Sequence, residues 1–523
     1  MPHVNGRRAG VALVFTSLGL KRGGLTRAVV ARARHFAEAG VPVRLLLTGF
    51  GYGEDDAAEG VRREWGLPGS VEIRYFWREA APGGGGAPAG PLAHRRTEPE
   101  TTSFTEDSPA GNVVRLYRQG VLAKAKRFGT DGRLQTITHY DNTVRAVSRD
   151  NYDRAGRLVY TEHIDPDTGS GVLRRWFDRS GRCWLTTWLN GAGNPVATVR
   201  HQPRPVAYGH FGECVAEWVD EVTADWDRPV VMVDTRRLDP LLLNLKHPGA
   251  RTVAGLHNSH TKPPYRESDP TNTSWLPLLE NIDHIDTVVA LTGKQRDHIT
   301  RRHGGTVTVI NHPTPPAPTV DVPREPGLLV ALTRFDHQKR VDHAIRAFAL
   351  AAPRVPEARF DIYGKGGDQP ALQKLVRDLG MADRIRFRGF TDDALRVFAG
   401  ATATVLSSRH EGLPLVLTEA MGVGTPFVAY DVNYGPAEII RHEVDGLLVP
   451  PGDVEALADA LVRVLGDPEF AARLSERARE VTERFTFERW SSEWLNLYRS
   501  LVDSGGPAER RAPQPVAAAS APQ

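Results

Sequence analysis

Hydrophobic positions along the chain follow three regimes. An apolar run at 11–16, a glycine-rich turn at 19–24, a stretch of helical period at 26–39 closed by Gly40, and a second apolar run at 41–47 open the chain. The same alternation returns after residue 211, with apolar runs at 229–234, 251–256, 287–291 and 306–310. Stretches of helical period at 213–226, 238–246, 275–282 and 294–302 separate or follow them. From residue 328 the runs 328–332, 359–363, 385–389 and 402–406 alternate with helical stretches at 341–351, 371–379 and 392–398. Helices over 454–465, 468–481 and 488–502 finish the pattern. Continuous apolar runs alternating with helices predict an α/β fold of doubly wound parallel sheets.

Residues 104–200 are of another kind. Short segments rich in Tyr, Trp, Val and Thr alternate in polarity and break at Thr130-Asp-Gly132, Asp153-Arg-Ala-Gly156, Asp178-Arg-Ser-Gly181 and Asn190-Gly-Ala-Gly193. Gly132, Gly156 and Gly181 recur at intervals of 24 and 25 residues, the mark of a β-meander of repeated hairpins. Open sheet edges need covering, so self-association through this insertion is expected. Ahead of it, 78–103 includes Ala81-Pro-Gly-Gly-Gly-Gly-Ala-Pro, a composition that predicts a flexible linker. The expected division is a first domain from 1–77 and 206–315, the linker 78–103, the insertion 104–205, and a second domain over 316–485. A last helix carrying Trp490 and Trp494 is expected over 486–503, and 504–523, rich in Pro and Ala, is expected to be disordered. The proline-dense 311–318 is the expected interdomain hinge.

Composition narrows the class. At 523 residues the chain is too long for one core, and 40% hydrophobic with 25% charged residues is a globular balance. Lys and Arg total 66 against 63 Asp and Glu, so no nucleic-acid footprint is present. Cys183 and Cys214 make neither a disulfide framework nor a metal cluster, and a reducing cytoplasm is the expected location. No apolar run reaches the ~18 residues of a membrane span, so at most peripheral membrane association is expected. Arg7-Arg8 and the apolar stretch after them lack a small-residue cleavage site and read as a first buried strand.

The chemistry concentrates in Val405-Leu-Ser-Ser-Arg-His-Glu411-Gly-Leu-Pro414-Leu-Val-Leu-Thr-Glu419, a strand, a polar loop and a helix opened by Pro414. Free N–H groups and the positive end of such a helix suit phosphate oxygens, and two glutamates eight residues apart suit sugar hydroxyls. Upstream, Thr333-Arg334-Phe-Asp-His-Gln-Lys339 puts a guanidinium and an ammonium five residues apart after a strand, a pairing able to neutralise a diphosphate leaving group.

The Glu411-x7-Glu419 pattern resembles the signature of retaining glycosyltransferases of family 4. Tyr430-Asp-Val-Asn-Tyr-Gly-Pro-Ala-Glu-Ile-Ile440 resembles their poly(glycerol-phosphate) α-glucosyltransferase branch. The resemblance implies the GT-B fold, two Rossmann-like domains facing a cleft, with the β-meander inserted in the first for oligomerisation or partner binding. It implies Arg334 and Lys339 on the donor diphosphate, Glu411 on the sugar, Glu419 on the ribose, and the backbone at Leu415 and Val416 on phosphate. It further implies that Gly364 and the turn Arg388-Gly389-Phe390 cradle the base, that Gly23 and Gly24 approach donor phosphates and acceptor, and that His257 orients sugar or acceptor. The donor expected is UDP-glucose or UDP-N-acetylglucosamine, and the acceptor a polyol-phosphate polymer or a protein hydroxyl. No cofactor is expected. Asp165-Pro-Asp167 lies in the β repeat and reads as a turn, so no catalytic metal is expected either. With no dependable enzymic nucleophile in the sequence, retention is expected through same-face attack, the diphosphate taking the acceptor proton.

Overall fold

The computed structural model describes residues 3–4, 7–18, 24–202, 204–314, 320 and 322–504. Gly23, the end of the hinge at 315–318 and the tail from 505 lie outside these residues. Contacts group the chain into two units. One is built from residues up to 254 with 284–286 and the chain from 501; the other from 255–283 and 287–500.

In the first unit, parallel strands run in the order Arg251–Gly255, Arg228–Val233, Arg7–Phe15, Val43–Leu47, Glu72–Tyr75. The two central partners, Val11 to Val14 and Val230 to Val233, are buried on both faces, which is why their sequence runs apolar without alternation. Helix Gly24–Glu38 follows the first strand, and its Arg32 makes a buried ion pair with Asp234. Helix Glu54–Trp65 and strand Glu72–Tyr75 have no counterpart among the sequence expectations. Their residues, half charged, carry no sustained apolar run.

The insertion is a ten-stranded antiparallel meander from Phe104–Asp107 to Val206–Tyr208, each strand paired with its sequence neighbour. Its turns place Gly132, Gly156, Gly181 and Gly193 at φ between 73° and 84°, and the turn at 141–144 places Val144 there too, at 63°. The repeat is therefore one strand and one turn, about half the interval between the sequence-visible glycines, because Val144 and the longer turn at Gly169 hide alternate members. The Asp or Asn that opens the turns at 141, 153, 165, 178 and 190 accepts backbone N–H groups, as Asp141 does from Thr143 and Arg145 and Asp178 from Ser180 and Arg182.

Residues 78–103, expected as a flexible linker, are instead fastened along this sheet. Gly85 and Ala87 bridge Asp178 and Leu158, and Ala81, Ala87, Ala93 and Glu98 are buried. Lys126, fully buried, donates to the carbonyls of Leu92, Ala93 and Arg95 and pairs with Glu98 at 2.8 Å. Glycine and proline remove side chains here so that backbone can lie on backbone.

The second unit holds a six-stranded parallel sheet in the order Ile385–Gly389, Arg359–Tyr363, Glu325–Leu332, Ala401–Leu406, Phe427–Tyr430, Gly446–Val449. The chain winds outward from Glu325–Leu332 in one direction and from Ala401–Leu406 in the other. The order thus reverses between these two strands, where doubly wound sheets bind ligands beyond the carboxyl ends. Strand Gly446–Val449 and the short helix Pro436–Ile439 are additions to the sequence reading. The expected helix over 468–481 is two, Pro468–Ala478 and Val481–Arg484. The final helix Phe487–Asp503 buries Trp490 and Trp494, and the end of the chain described, in the first unit, receives Arg251 at the Leu501 carbonyl and Arg228 at that of Ser504. Among the described residues no helix is long and apolar enough to cross a membrane.

Candidate functional site

The two loops leaving the reversal point carry the charged groups. After Glu325–Leu332, Asp336 folds the chain back by accepting the N–H groups of Gln338 and Lys339. After Ala401–Leu406, Ser407 donates to the carbonyls of Lys339 and Arg340, and Arg409 N–H donates to Gln338 O at 2.8 Å, lacing the two loops together. The result is a contact of 2.6 Å between Lys339 Nζ and Glu411 Oε1, with both side chains largely buried. Arg334, two-thirds exposed, reaches Asp336 at 2.8 Å and Gln338 at 3.4 Å, and leaves donors facing outward.

Glu411 is 6% exposed and its backbone is held from the other side, its N–H on Asn433 O and its carbonyl accepting from Tyr434. The next residue must be glycine: a Cβ on Gly412 would lie 2.3 Å from the His257 carbonyl. That close approach brings the His257 backbone to the Glu411 loop within the same unit. The His257 ring stacks on His312, centroids 5.6 Å apart. The neighbouring Asn258 side-chain oxygen lies 2.8 Å from His410 Nδ1, and Asn258 O accepts from Gln295.

Pro414 caps helix Leu415–Gly422 from outside rather than occupying its first turn, so Leu415 and Val416 supply the first helical N–H groups. Glu419 is half-buried on the second turn. Beyond strand Arg359–Tyr363, Gly364 at φ 140° donates to Gly389 O at 2.7 Å, and a Cβ there would strike the Thr333 carbonyl at 1.8 Å. Phe390 is 67% exposed beneath Lys365, an apolar plate in a polar loop, and Arg388 pairs with Asp361 at 3.2 Å. The structure thus gathers Arg334, Lys339, Gly364, Arg388, Gly389, Phe390, Glu411, Leu415, Val416 and Glu419 on loops, a strand end and the first two turns of a helix at the carboxyl edge of one sheet, with the His257 backbone against Gly412. Gly24 opens a helix of the first unit.

Sequence reasoning missed a buried polar cluster behind Glu411. Tyr434 is fully buried, its hydroxyl 3.0 Å from His298 Nδ1 and 3.5 Å from His260 Nδ1, and its ring is parallel to that of His260. Asn433 donates to the carbonyl of Tyr265, whose ring lies against His410. Burial pushes the His260 imidazole down to about 4, helped by the charges of His303, His298 and Arg302. Burial likewise lowers His298 and His410 and raises the Tyr434 phenol. The 430–440 motif was the available signal, and it marks these positions without saying what they touch. Among the described residues no group of three or more His, Cys, Asp or Glu is arranged to hold a metal ion.

Residues 319–481 match the family model described as Glycosyl transferases group 1. The chain has the GT-B fold, and its second unit carries a group 1 glycosyl transferase domain.

Its relatives are consistent with this. It is 38% identical over 230 residues to an exopolysaccharide phosphotransferase of Streptomyces coelicolor, covering 43% of this chain and 24% of that protein. It is 23% identical over 402 residues to the poly(glycerol-phosphate) α-glucosyltransferase of Bacillus subtilis, covering 72% of this chain and 57% of that one. The chain thus matches about a quarter and somewhat over half the length of these two relatives. Among solved structures, a point mutant of Staphylococcus aureus TarM in complex with fondaparinux, α-GlcNAc-glycerol and UDP superposes with a TM-score of 0.76 at 17% identity, over 94% of this chain and 99% of that one. The pneumococcal O-GlcNAc transferase GtfA, in complex with UDP and GlcNAc, does so with 0.72 at 15% identity, over 95% and 100%.

Proposed function

We propose that the chain transfers a hexosyl group, glucose or N-acetylglucosamine, from a UDP-sugar to a hydroxyl of a polyol-phosphate polymer of the teichoic-acid kind, with retention and without a metal ion. The observation that carries this reading is the Lys339–Glu411 contact at the sheet's reversal point, with Arg334 in the same loop. In this reading Arg334 and Lys339 face the diphosphate and offset the charge that grows on it as the C1–O bond breaks. Glu411, one oxygen on Lys339, keeps the other for a sugar hydroxyl. The first N–H groups of helix Leu415–Gly422 add to the phosphate site, Glu419 takes the ribose, and Gly364 with Arg388-Gly389-Phe390 takes the base. His257 stands on the acceptor side.

The acceptor oxygen adds to C1 on the face that the diphosphate leaves, and its proton passes to a departing diphosphate oxygen. The activity of the B. subtilis relative and the UDP in the TarM complex support the donor and acceptor classes. Self-association through the ten-stranded sheet belongs to the same reading, with Phe104 60% exposed on its end strand. The test is transfer from UDP-glucose and UDP-N-acetylglucosamine to polyglycerol-phosphate in EDTA, with the product read by proton NMR. An α-linked product is expected. A β-linked product overturns retention, and transfer only after a divalent ion is restored overturns metal independence.

A further inference from the structure

The glycine run 83–86 packs against residues that line a cavity in the first unit. Gly85 N–H donates to Arg78 O at 3.0 Å, Gly86 N–H to Phe177 O at 2.9 Å, and Arg179 N–H to Gly84 O at 2.9 Å. The run is therefore stitched between the short helix Phe76–Glu79 and the turn at 178–181. Side chains would not fit: a Cβ on Gly85 would lie 2.0 Å from Trp77 O, one on Gly84 2.9 Å from Arg179 Nε, and one on Gly86 3.1 Å from Arg157 Cβ. The residues so approached, Trp77, Arg157 and Arg179, all line a cavity of about 230 Å³ that Phe50, Arg78 and Arg154 also border. That is below the roughly 300–1,000 Å³ of a site for a whole small ligand and suits one unit of a chain.

The lining charges are unequal in their engagements. Arg157 pairs with Asp153 at 2.8 Å, Arg154 with Asp131 at 3.1 Å and with Asp56, and Glu54 accepts the Trp77 indole N–H at 2.9 Å. Arg179, exposed at the rim, makes no ion pair among the described residues. The floor is aromatic, Phe50 edge-on to Trp77 at 5.1 Å. Carboxylates with spare lone pairs recognise hydroxyls, an aromatic face accepts C–H groups, and one unpaired guanidinium calls for one negative charge. A polyol unit bearing a phosphodiester has all three features.

We propose that this cavity is a second acceptor-holding site, seating one unit of a polyol-phosphate chain with its phosphodiester on Arg179. It rests on the acceptor class proposed above. The test is calorimetric titration of the full chain with polyglycerol-phosphate. Arg179→Glu raises Kd by about tenfold or more, the size of one lost charge-assisted contact, while Arg179→Lys raises it less. Both variants keep the wild-type melting midpoint or lie close to it. Equal Kd for wild type and Arg179→Glu, or no binding by the wild type, overturns the inference. Failure of the acceptor reading is separate: it shows as no sugar incorporated into the polymer, whatever its Kd.

Discussion

Single residues decide how the two units hold their buried charge. Lys126 and Glu98, at 0% and 1% side-chain exposure, lie 2.8 Å apart, with three carbonyls around the ammonium and Lys124 also on the carboxylate. Breaking a buried pair leaves an uncompensated ion, so Glu98→Gln should cost about 3 kcal/mol in denaturant unfolding. An unchanged midpoint would mean that 78–103 is not held by this contact. Burial pushes the Glu98 carboxyl up, but the ammoniums of Lys124 and Lys126 outweigh it and hold the group at about 2, below its ordinary 4.5. Its contribution is therefore complete above pH 4.5 and lost as pH falls toward 2. His260 and His343 behave similarly at higher pH: burial lowers both from 6.5 to about 4, so the folded protein keeps them neutral while the unfolded chain takes up protons. Stability is then full above pH 6.5 and falls between 6.5 and 4, which a series of thermal midpoints across that range would reveal; a flat profile would contradict it. None of these partners was legible in the sequence, because a lone Lys, Glu or His carries no sign of what will bury it.

At the scale of elements, the sequence was most legible where period and turn chemistry agreed. Helix Val341–Ala351 and strands Arg359–Tyr363 and Ile385–Gly389 lie where their apolar period ends against glycine or charge. The meander was visible through its Asp-x-x-Gly turns, but its true interval was not, because Val144 takes a glycine's conformation. A β-branched residue in the left-handed region costs about 1–2 kcal/mol, so Val144→Gly should raise stability by about 1 kcal/mol after the entropy of the unfolded chain is counted. Melting curves of the variant check this, and a lowered midpoint would argue that Val144 contributes packing that its half-exposed side chain does not suggest. Residues 78–103 misled for the opposite reason. Glycine and proline announce flexibility by composition, yet the same lack of side chains permits the backbone contacts that fix the segment.

For the whole molecule, alternation predicted two parallel sheets and an inserted antiparallel one, and all three are present. Contacts such as Gly412 against His257 and Tyr434 against His298 left no mark in its period. The Arg334, Lys339 and Glu411 loops were legible because sequence spacing after strand ends survives folding; the supporting cluster of Tyr434, His298 and His260 was not. Whether Lys339 and Glu411 form the donor site is read from UDP release by UDP-sugars with polyglycerol-phosphate present, in EDTA. Release should rise with polymer and fall at least about a hundredfold in Lys339→Ala and in Glu411→Ala, the loss of one preorganised charged contact to the reacting group. Release at the wild-type rate in both variants would contradict it.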